Sequence, residues 1–285
     1  MRLPSEYLAR SRRIAAFGQC VSAAEGLARR DLYRSGELLS PQIRHAYPRF
    51  ARKHPHLTAL LEDYRFIVGC DTVKAAAGLA TLFLPHTRRL TVVTSTVSAV
   101  VFGLERYRTN FGRDGSDQMQ DIMATIVALS SAFRDREEAA DFALRAINTQ
   151  LAVSYFASGA IKLVSDDWRS GRAFVSVMRT EAYGHPRAAA VLDKIPASSL
   201  LVCWGTILGE TLYPLLYLVP KSARVQRALP IAGLFHLAIG HFMGLPRFVW
   251  AFGATHPAAS YVLEGGSAAT ASSIAARIGE VARAA

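Results

Sequence analysis

The segment YFASGAIKLVSDDWRSG, residues 155–171, places a lysine near the end of an otherwise apolar run. At helical spacing, one face of this run carries four polar side chains within an arc of about 80°, namely Asn148, Tyr155, Ser158 and Lys162. A lysine that is buried and neutral can act as a general base. Alternatively, a lysine one turn from a helix end can extend its ammonium group to the lipid headgroups. Because that arrangement needs no other polar residue along the run, the stripe favours a buried site.

The turn DDW follows the lysine and supplies two carboxylates and the indole of Trp168. Aromatic and charged side chains are common at the depth where a membrane meets water. We expect this turn either to anchor the chain at that depth or to cover Lys162 as a lid.

Glu210 lies in the apolar sequence LGETLYP, four residues before Pro214. A proline within a helix cannot donate to the carbonyl four residues earlier, so we expect a free carbonyl at Glu210 beside its own carboxyl group. Such a polar kink would either line a site or hydrate a bend.

Two acidic residues, Asp117 and Asp121, lie at the start of a further apolar run in RDGSDQMQD. The GSDQ segment is typical of a turn followed by a helix N-cap, with Ser116 or Asp117 accepting from the first amides of the helix. Capping explains Asp117 but not Asp121, which lies one turn deeper and is therefore a candidate site residue.

Two histidines, His236 and His241, lie five residues apart in LFHLAIGHFMG. This spacing separates them by about 140° around a helix, whereas two zinc ligands on one helix are typically four residues apart. We therefore predict no metal site, and we expect His236 to line a cavity.

Two residues of opposite charge, Asp71 and Lys74, lie three residues apart in CDTVK. Side chains at this spacing share one face of a helix. We predict an internal ion pair that neutralises itself for a structural purpose; a catalytic role is the alternative.

The composition indicates which elements must hold these residues. Of the 285 residues, 51% are apolar and 19% are charged, whereas a soluble domain usually carries about 25% charged residues. Several apolar blocks reach the roughly 20 residues that a helix needs to cross a membrane; the blocks are 13–28, 66–84, 90–104, 119–133, 146–164, 196–219 and 228–252. We predict an all-α protein, a polytopic integral membrane bundle of about five to seven transmembrane helices with interfacial helices. The alternative is a large soluble helical bundle.

We predict one transmembrane domain over residues 1–260 and a small, polar C-terminal tail over residues 261–285. Because Gln19, Ser22 and Glu25 interrupt the first block, we expect that block to be interfacial or re-entrant. The formal net charge is +11, and the arginines cluster near the N-terminus and at block edges. This distribution is typical of contact with lipid headgroups, so the lipid bilayer is the expected partner and nucleic acid is not.

The segment YFASGAIKLVSDDWRSGRAF resembles the hallmark of the vitamin K-dependent carboxylase-like membrane domain, also called the horizontally transferred transmembrane domain. That hallmark runs aromatic, small, Gly, two variable residues, Lys and Leu, and then Trp, two variable residues and Gly. The segments GRDGSDQM and GLFHLAIGHFMGLPRF resemble the family's Asp-containing turn and its late His-containing helix. The resemblance covers about residues 15 to 256.

In the γ-glutamyl carboxylase branch, the lysine of this hallmark acts as a base toward a reduced quinone, whose oxygenation drives carbanion formation at a glutamate. The resemblance therefore implies a base role for Lys162 and a quinone-like cofactor. The carboxylase branch has a histidine in the turn that matches GSDQ, and a large luminal region; this chain has neither. We do not expect complete γ-carboxylation. Small bacterial members include the membrane protein that accompanies the sporulation-delaying toxin and is thought to assist that peptide's maturation.

Two hypotheses follow for a protein of the bacterial cytoplasmic membrane. The first is an enzyme or maturation factor that acts on a quinone-like, lipid or secreted peptide substrate, with Lys162 as base and Asp117, Asp121 and His236 as further catalytic residues. Its cofactor would be bound by Tyr155, Ser158, Trp168 and Glu210. The second is a non-catalytic membrane partner, such as an immunity, transport or scaffold protein, whose buried charges hold its helices together.

Overall fold

The structure is a computed structural model. It describes residues 3–37, 39–41, 43–108, 114–219 and 223–265, with the backbone alone for residues 223–228. These residues form helices and turns without a β-strand, which confirms the all-α prediction for the described part of the chain. Most of the predicted C-terminal tail, residues 266–285, lies outside the described residues.

The chain divides into two compact units, which we call the N-terminal unit and the C-terminal unit. The N-terminal unit holds residues 9–143 and 250–254. The C-terminal unit holds the residues up to Leu8, residues 144–249, and the residues from Thr255 onward.

Helices of the N-terminal unit pack in sequence, with the fifth against the sixth and the sixth against the seventh. The helices are α1 (Pro4–Ala28, whose first turn belongs to the other unit), α2 (Ile43–Ala46), α3 (Pro48–Lys53), α4 (Pro55–Glu62), α5 (Tyr64–Phe83), α6 (Arg88–Arg108) and α7 (Gly115–Ser130). A 3₁₀ turn covers Arg30–Tyr33. The long helix α8 (Arg136–Val164) begins in this unit and continues into the C-terminal unit.

The C-terminal unit consists of the second part of α8 and a series of shorter helices. These are α9 (Asp166–Arg169), α10 (Arg172–Met178), α11 (Pro186–Lys194), α12 (Ala197–Leu212), α13 (Ala223–Phe242), α14 (Pro246–Gly253, whose last residues belong to the other unit) and α15 (His256–Leu263). A 3₁₀ helix, Tyr213–Tyr217, continues directly from α12.

Two helices are long and apolar enough to cross a membrane, α5 and the combined segment Ala197–Tyr217. Within the described ranges no further helix meets both conditions, so five to seven crossings are not confirmed. For α6, charged residues explain the difference, because the helix extends beyond its apolar block into arginine- and glutamate-containing turns. Within α8, uncharged polar residues such as Asn148, Gln150 and Ser158 lower the hydropathy of the apolar block itself.

The predicted apolar block 228–252 is not one helix. It divides into α13 and α14 around Gly244, whose φ of 65° is in the left-handed region that glycine adopts without steric cost. Pro246 then begins α14, where its missing amide proton is not needed.

A buried glutamine links three helices of the N-terminal unit. Gln19 of α1 donates from Nε2 to the carbonyl of Lys74 at 2.7 Å and accepts from the hydroxyl of Ser98 at 3.1 Å. One turn away, a Cβ on Gly78 would lie 2.6 Å from the sulfur of Cys20, so the absence of a side chain lets α1 and α5 approach closely. Gln19, which was expected to keep the first apolar block at the membrane interface, therefore forms buried hydrogen bonds to two other helices.

The predicted ion pair on α5 is confirmed and extended. The ammonium group of Lys74 lies 2.9 Å from Asp71 Oδ1 and 2.7 Å from Glu105 Oε1 of α6, and its side chain is only 4% exposed. A Cβ on Gly26 would lie 2.2 Å from Asp71 Oδ2, so only glycine permits this approach of α1. Three helices therefore enclose one cation and two carboxylates.

Helix α7 begins with a capping box, but the N-cap differs from the prediction. The N-cap is Asp114, rather than Ser116 or Asp117, and its carboxylate accepts from the amides of both of those residues. Asp117 is the third residue of the helix and accepts from the amide of Asp114 at 3.4 Å. Asp117 therefore takes part in capping, as expected. The carboxylate of each aspartate accepts from backbone amides at the start of the helix.

An arginine of α1 connects this helix to α6 and to the loop before it. Arg12 is 8% exposed, and its Nη1 lies 3.1 Å from His86 Nδ1 and 2.8 Å from Thr91 Oγ1. Its Nη2 donates to Thr94 Oγ1 at 2.8 Å. Arg13 donates from Nε to His86 Nε2 at 2.9 Å, so two arginines flank one imidazole.

This arrangement predicts a pH-dependent stability. Burial, and then the positive charges of Arg12, Arg13 and Arg136, lower the pKa of His86 from 6.5 to about 4. Between these two pH values the unfolded chain binds a proton that the folded chain does not, so the free energy of unfolding falls as the pH falls. We expect the melting temperature of the His86→Gln variant to decline less steeply than that of the wild type over this range.

The matched control for this measurement is His45→Gln, which removes an exposed histidine. Its melting temperature should follow the wild-type curve. Parallel curves for the wild type and His86→Gln would contradict the burial of the imidazole between the two arginines.

Candidate functional site

A glycine brings the two helices of the candidate site together in the C-terminal unit. An added Cβ on Gly159 of α8 would lie 2.4 Å from Thr211 Oγ1 and 2.5 Å from the Thr211 backbone nitrogen of α12. Such distances are far below van der Waals contact, so only a residue without a side chain allows this approach. The close approach places the polar stripe of α8 beside Glu210, the residue before Thr211.

Lys162 points toward α12. Its Nζ donates to Glu210 Oε2 at 2.7 Å and to both the hydroxyl and the carbonyl of Ser158. The ammonium nitrogen also lies 5.1 Å from the ring centroid of Trp168, at cation–π distance. The side chains of Lys162 and Glu210 are 16% and 10% exposed. The three acceptors and the indole enclose the cation, in contrast to a lysine extended toward headgroups.

A second polar group lies on the same stripe, about 10 Å along the α8 axis from Lys162. The Tyr155 hydroxyl forms a 2.7 Å hydrogen bond with His236 Nε2 of α13. The ring of Tyr155 also packs against Tyr213, with the centroids 4.5 Å apart. Both Tyr155 and His236 are buried, at 6% and 3% exposure.

This aromatic group continues to the predicted stripe residue Asn148. The Tyr217 hydroxyl donates to Asn148 Oδ1 at 2.7 Å and lies 3.4 Å from the Tyr213 hydroxyl. Tyr213 and Tyr217 were not among the predicted site residues. Their signal was the spacing of the two tyrosines in YPLLY, which begins three residues after Glu210 and forms the 3₁₀ helix that continues α12.

The expected free carbonyl at Glu210 is not observed. Its oxygen accepts from the amide of Tyr213, three residues later, because the chain tightens into the 3₁₀ helix Tyr213–Tyr217. A 3₁₀ turn needs no amide from Pro214 for this bond. The kink prediction was therefore wrong about the carbonyl, while the carboxyl group of Glu210 has the charged partner Lys162.

The DDW turn forms α9, with two exposed carboxylates. Asp166 pairs with Arg169 and Asp167 pairs with Arg172, both within the same local segment. The indole of Trp168 is the member of this turn that reaches Lys162. The turn therefore covers the lysine with its aromatic ring and directs its acidic groups to the surface.

The structure brings six of the eight predicted site residues into the C-terminal unit, in two groups. The first contains Lys162, Ser158, Glu210 and Trp168, and the second contains Tyr155 and His236. The other two, Asp117 and Asp121, lie on α7 in the N-terminal unit. Asp117 belongs to the capping box described above, and Asp121 is half-buried one turn later.

The first group is an ammonium–carboxylate pair and the second is a phenol–imidazole pair. Each can pass a proton across a short hydrogen bond, and each joins α8 to a different helix. Acid–base chemistry is therefore within the capacity of this arrangement. No family model, curated protein or solved structure matches the chain.

Proposed function

We propose that the chain is a polytopic integral membrane protein of the bacterial cytoplasmic membrane. The outer faces of its apolar helices support this proposal. In the C-terminal unit, large apolar side chains of α8, α12 and α13 are strongly exposed, including Ile161, Val164, Leu201, Ile231 and Leu234. Only 28% of an 18-residue apolar stretch of Ala197–Tyr217, and 39% of the corresponding stretch of α5, is buried. A soluble protein buries its apolar helices, whereas these surfaces suit contact with lipid.

We further propose that the Lys162–Glu210 pair is an acid–base site acting on a quinone-like, lipid or secreted peptide substrate. The observation that carries the proposal is the 2.7 Å contact of Lys162 Nζ with Glu210 Oε2, enclosed between α8 and α12. The resemblance of the α8 segment to the carboxylase-like membrane domain supports the same role for Lys162. Tyr155 and His236 form the neighbouring hydrogen-bonded pair that would contact the same substrate.

The chemistry requires one proton transfer within the pair. The ammonium group of Lys162 gives a proton to the Glu210 carboxylate, which leaves a neutral amine and a neutral carboxylic acid. The amine then accepts a proton from an acidic O–H or C–H of the substrate, and the resulting anion lies beside the ammonium group.

One observation favours the second candidate function, a non-catalytic membrane partner. Three oxygen atoms, two of Ser158 and one of Glu210, surround the three N–H groups of Lys162. A cation whose donors are all used holds two helices together without any substrate. The two functions differ in what they require of residue 162: proton exchange in the first, and positive charge alone in the second.

The Lys162→Arg variant separates the two functions. Arginine keeps the positive charge opposite Glu210 but does not release its proton. For an acid–base site we expect a wild-type melting temperature with product formation reduced about a hundredfold or more. Product would be measured as the epoxide of an added reduced quinone under oxygen, or as the mass change of a secreted peptide encoded beside this gene. The matched control is Lys194→Arg, an exposed lysine of α11.

Undiminished product from a folded Lys162→Arg variant would overturn the acid–base role and leave the structural pair. A bound quinone or lipid, found by mass spectrometry in the purified wild type but absent from Lys162→Met, would identify the substrate class.

A further inference from the structure

A small cavity lies within the N-terminal unit, and none of the residues of the Lys162 site lines it. Its volume is about 50 Å³. Its polar lining comes from α1, α5, α6 and α7, and includes Arg12, Gln19, Ser95, Ser98 and Gln120. Sites for whole small molecules are typically about 300–1,000 Å³. This cavity therefore suits a small polar group or ion.

The cation in this lining has no carboxylate partner among the described residues. Arg12 is more than nine-tenths buried, and its guanidinium group contacts His86, Thr91 and Thr94, none of which carries a negative charge. Its Nε makes no hydrogen bond to any residue in the described ranges. The enclosed lysines Lys74 and Lys162 differ from Arg12, because each contacts a carboxylate within 3 Å.

The donors around His86 outnumber its acceptor atoms. Nδ1 faces Arg12 Nη1 at 3.1 Å, and Nε2 faces Arg13 Nε at 2.9 Å. A neutral imidazole has one acceptor nitrogen and one N–H group, so one of these contacts places two donors face to face. Protonation of the ring would make both contacts donor against donor.

The charge around the ring also favours an anion. Arg12, Arg13 and Arg136 all impose positive potential on His86. Guanidinium groups bind phosphate and similar oxyanions with paired, charge-assisted hydrogen bonds. An oxyanion beside Arg12 would neutralise the buried cation and accept from its Nε, which no described residue accepts from.

We propose that Arg12, in the lining of the cavity, forms a binding site for a phosphate-type oxyanion. The phosphate belongs either to the headgroup of an anionic lipid or to free phosphate, and both sources have the same chemistry at the guanidinium group. This site is independent of the proposed acid–base function, because it shares no residue with the Lys162–Glu210 pair.

The test uses the full chain in neutral detergent micelles, with inorganic phosphate as the first probe. Phosphate should raise the melting temperature of the wild type in a saturable manner, because a ligand that binds only the folded state stabilises it. In Arg12→Met the apparent affinity should be about tenfold weaker or lost. The control Arg52→Met removes one exposed positive charge on α3 and should bind phosphate as the wild type does.

The second probe is phosphatidylglycerol added to the same micelles, with retained lipid detected by native mass spectrometry. Retention that depends on Arg12, without stabilisation by inorganic phosphate, would identify a lipid headgroup as the source. Stabilisation by phosphate without lipid retention would identify the free anion. Equal behaviour of the wild type and Arg12→Met with both probes, or no response of the wild type to either, would overturn the proposal.

A second variant, Arg12→Lys, keeps a positive charge in the same position. If Arg12→Met fails to give a cooperative melting transition, the comparison is made with Arg12→Lys. A lysine cannot reproduce the paired hydrogen bonds of a guanidinium group, so its apparent affinity should again be about tenfold weaker. Wild-type affinity in that variant would contradict the assignment.

Discussion

Replacement of Lys74 by methionine is expected to lower the free energy of unfolding by about 3–5 kcal/mol. The side chain is 4% exposed and contacts Asp71 and Glu105 at 2.9 and 2.7 Å. Methionine fills a similar volume but leaves both carboxylates without this cation in a desolvated position. The loss of a charge partner, rather than of packing, accounts for the size of the expected effect.

The measurement is the melting temperature of the purified full chain, with Lys53→Met as the control because Lys53 is exposed on α3. The triple variant Lys74→Met, Asp71→Asn, Glu105→Gln should recover part of the loss, since no unpaired charge remains. Equal stability of Lys74→Met and Lys53→Met would show that the three-charge cluster of α5 and α6 is not enclosed as described.

The second large effect is expected at Gly159. Alanine there would place a Cβ 2.5 Å from the Thr211 backbone nitrogen, so α8 and α12 must separate. We expect a loss of about 1–3 kcal/mol from overpacking. The matched control is Gly205→Ala on α12, where an added Cβ meets nothing within 4 Å. That change should stabilise the helix by about 0.5–1 kcal/mol.

The Gly159→Ala variant should also weaken the contact between Lys162 and Glu210, because the same approach of helices creates it. We therefore expect Lys162→Met to cost less in the Gly159→Ala background than in the wild type. Additive losses in the double variant would mean that the glycine and the ion pair stabilise the fold separately.

The polar face of α8 could be predicted from sequence because it depends only on helical periodicity. Asn148, Tyr155, Ser158 and Lys162 lie on one helix, and their common direction follows from 3.6 residues per turn. The pair of Asp71 and Lys74 was predictable for the same reason. Local spacing determines which side chains share a face, and the structure agrees at both places.

Partners on other helices could not be predicted in this way. Glu105 as the second partner of Lys74, and Tyr213 beside Tyr155, depend on how helices pack, which no local spacing encodes. The N-cap of α7 was misplaced for a different reason. Several residues in RDGSD can accept from helix amides, and the backbone geometry of Asp114 decides which one does so.

The two enclosed lysines place different demands on the synthesis of the chain. Lys74 finds Asp71 within one turn of its own helix, so this ion pair can form as soon as α5 does. Lys162 finds Glu210 only after 48 further residues have been made. The partner that Lys162 has in the folded chain can therefore bind it only after α12 has been made, whereas the pair within α5 depends on one helix alone.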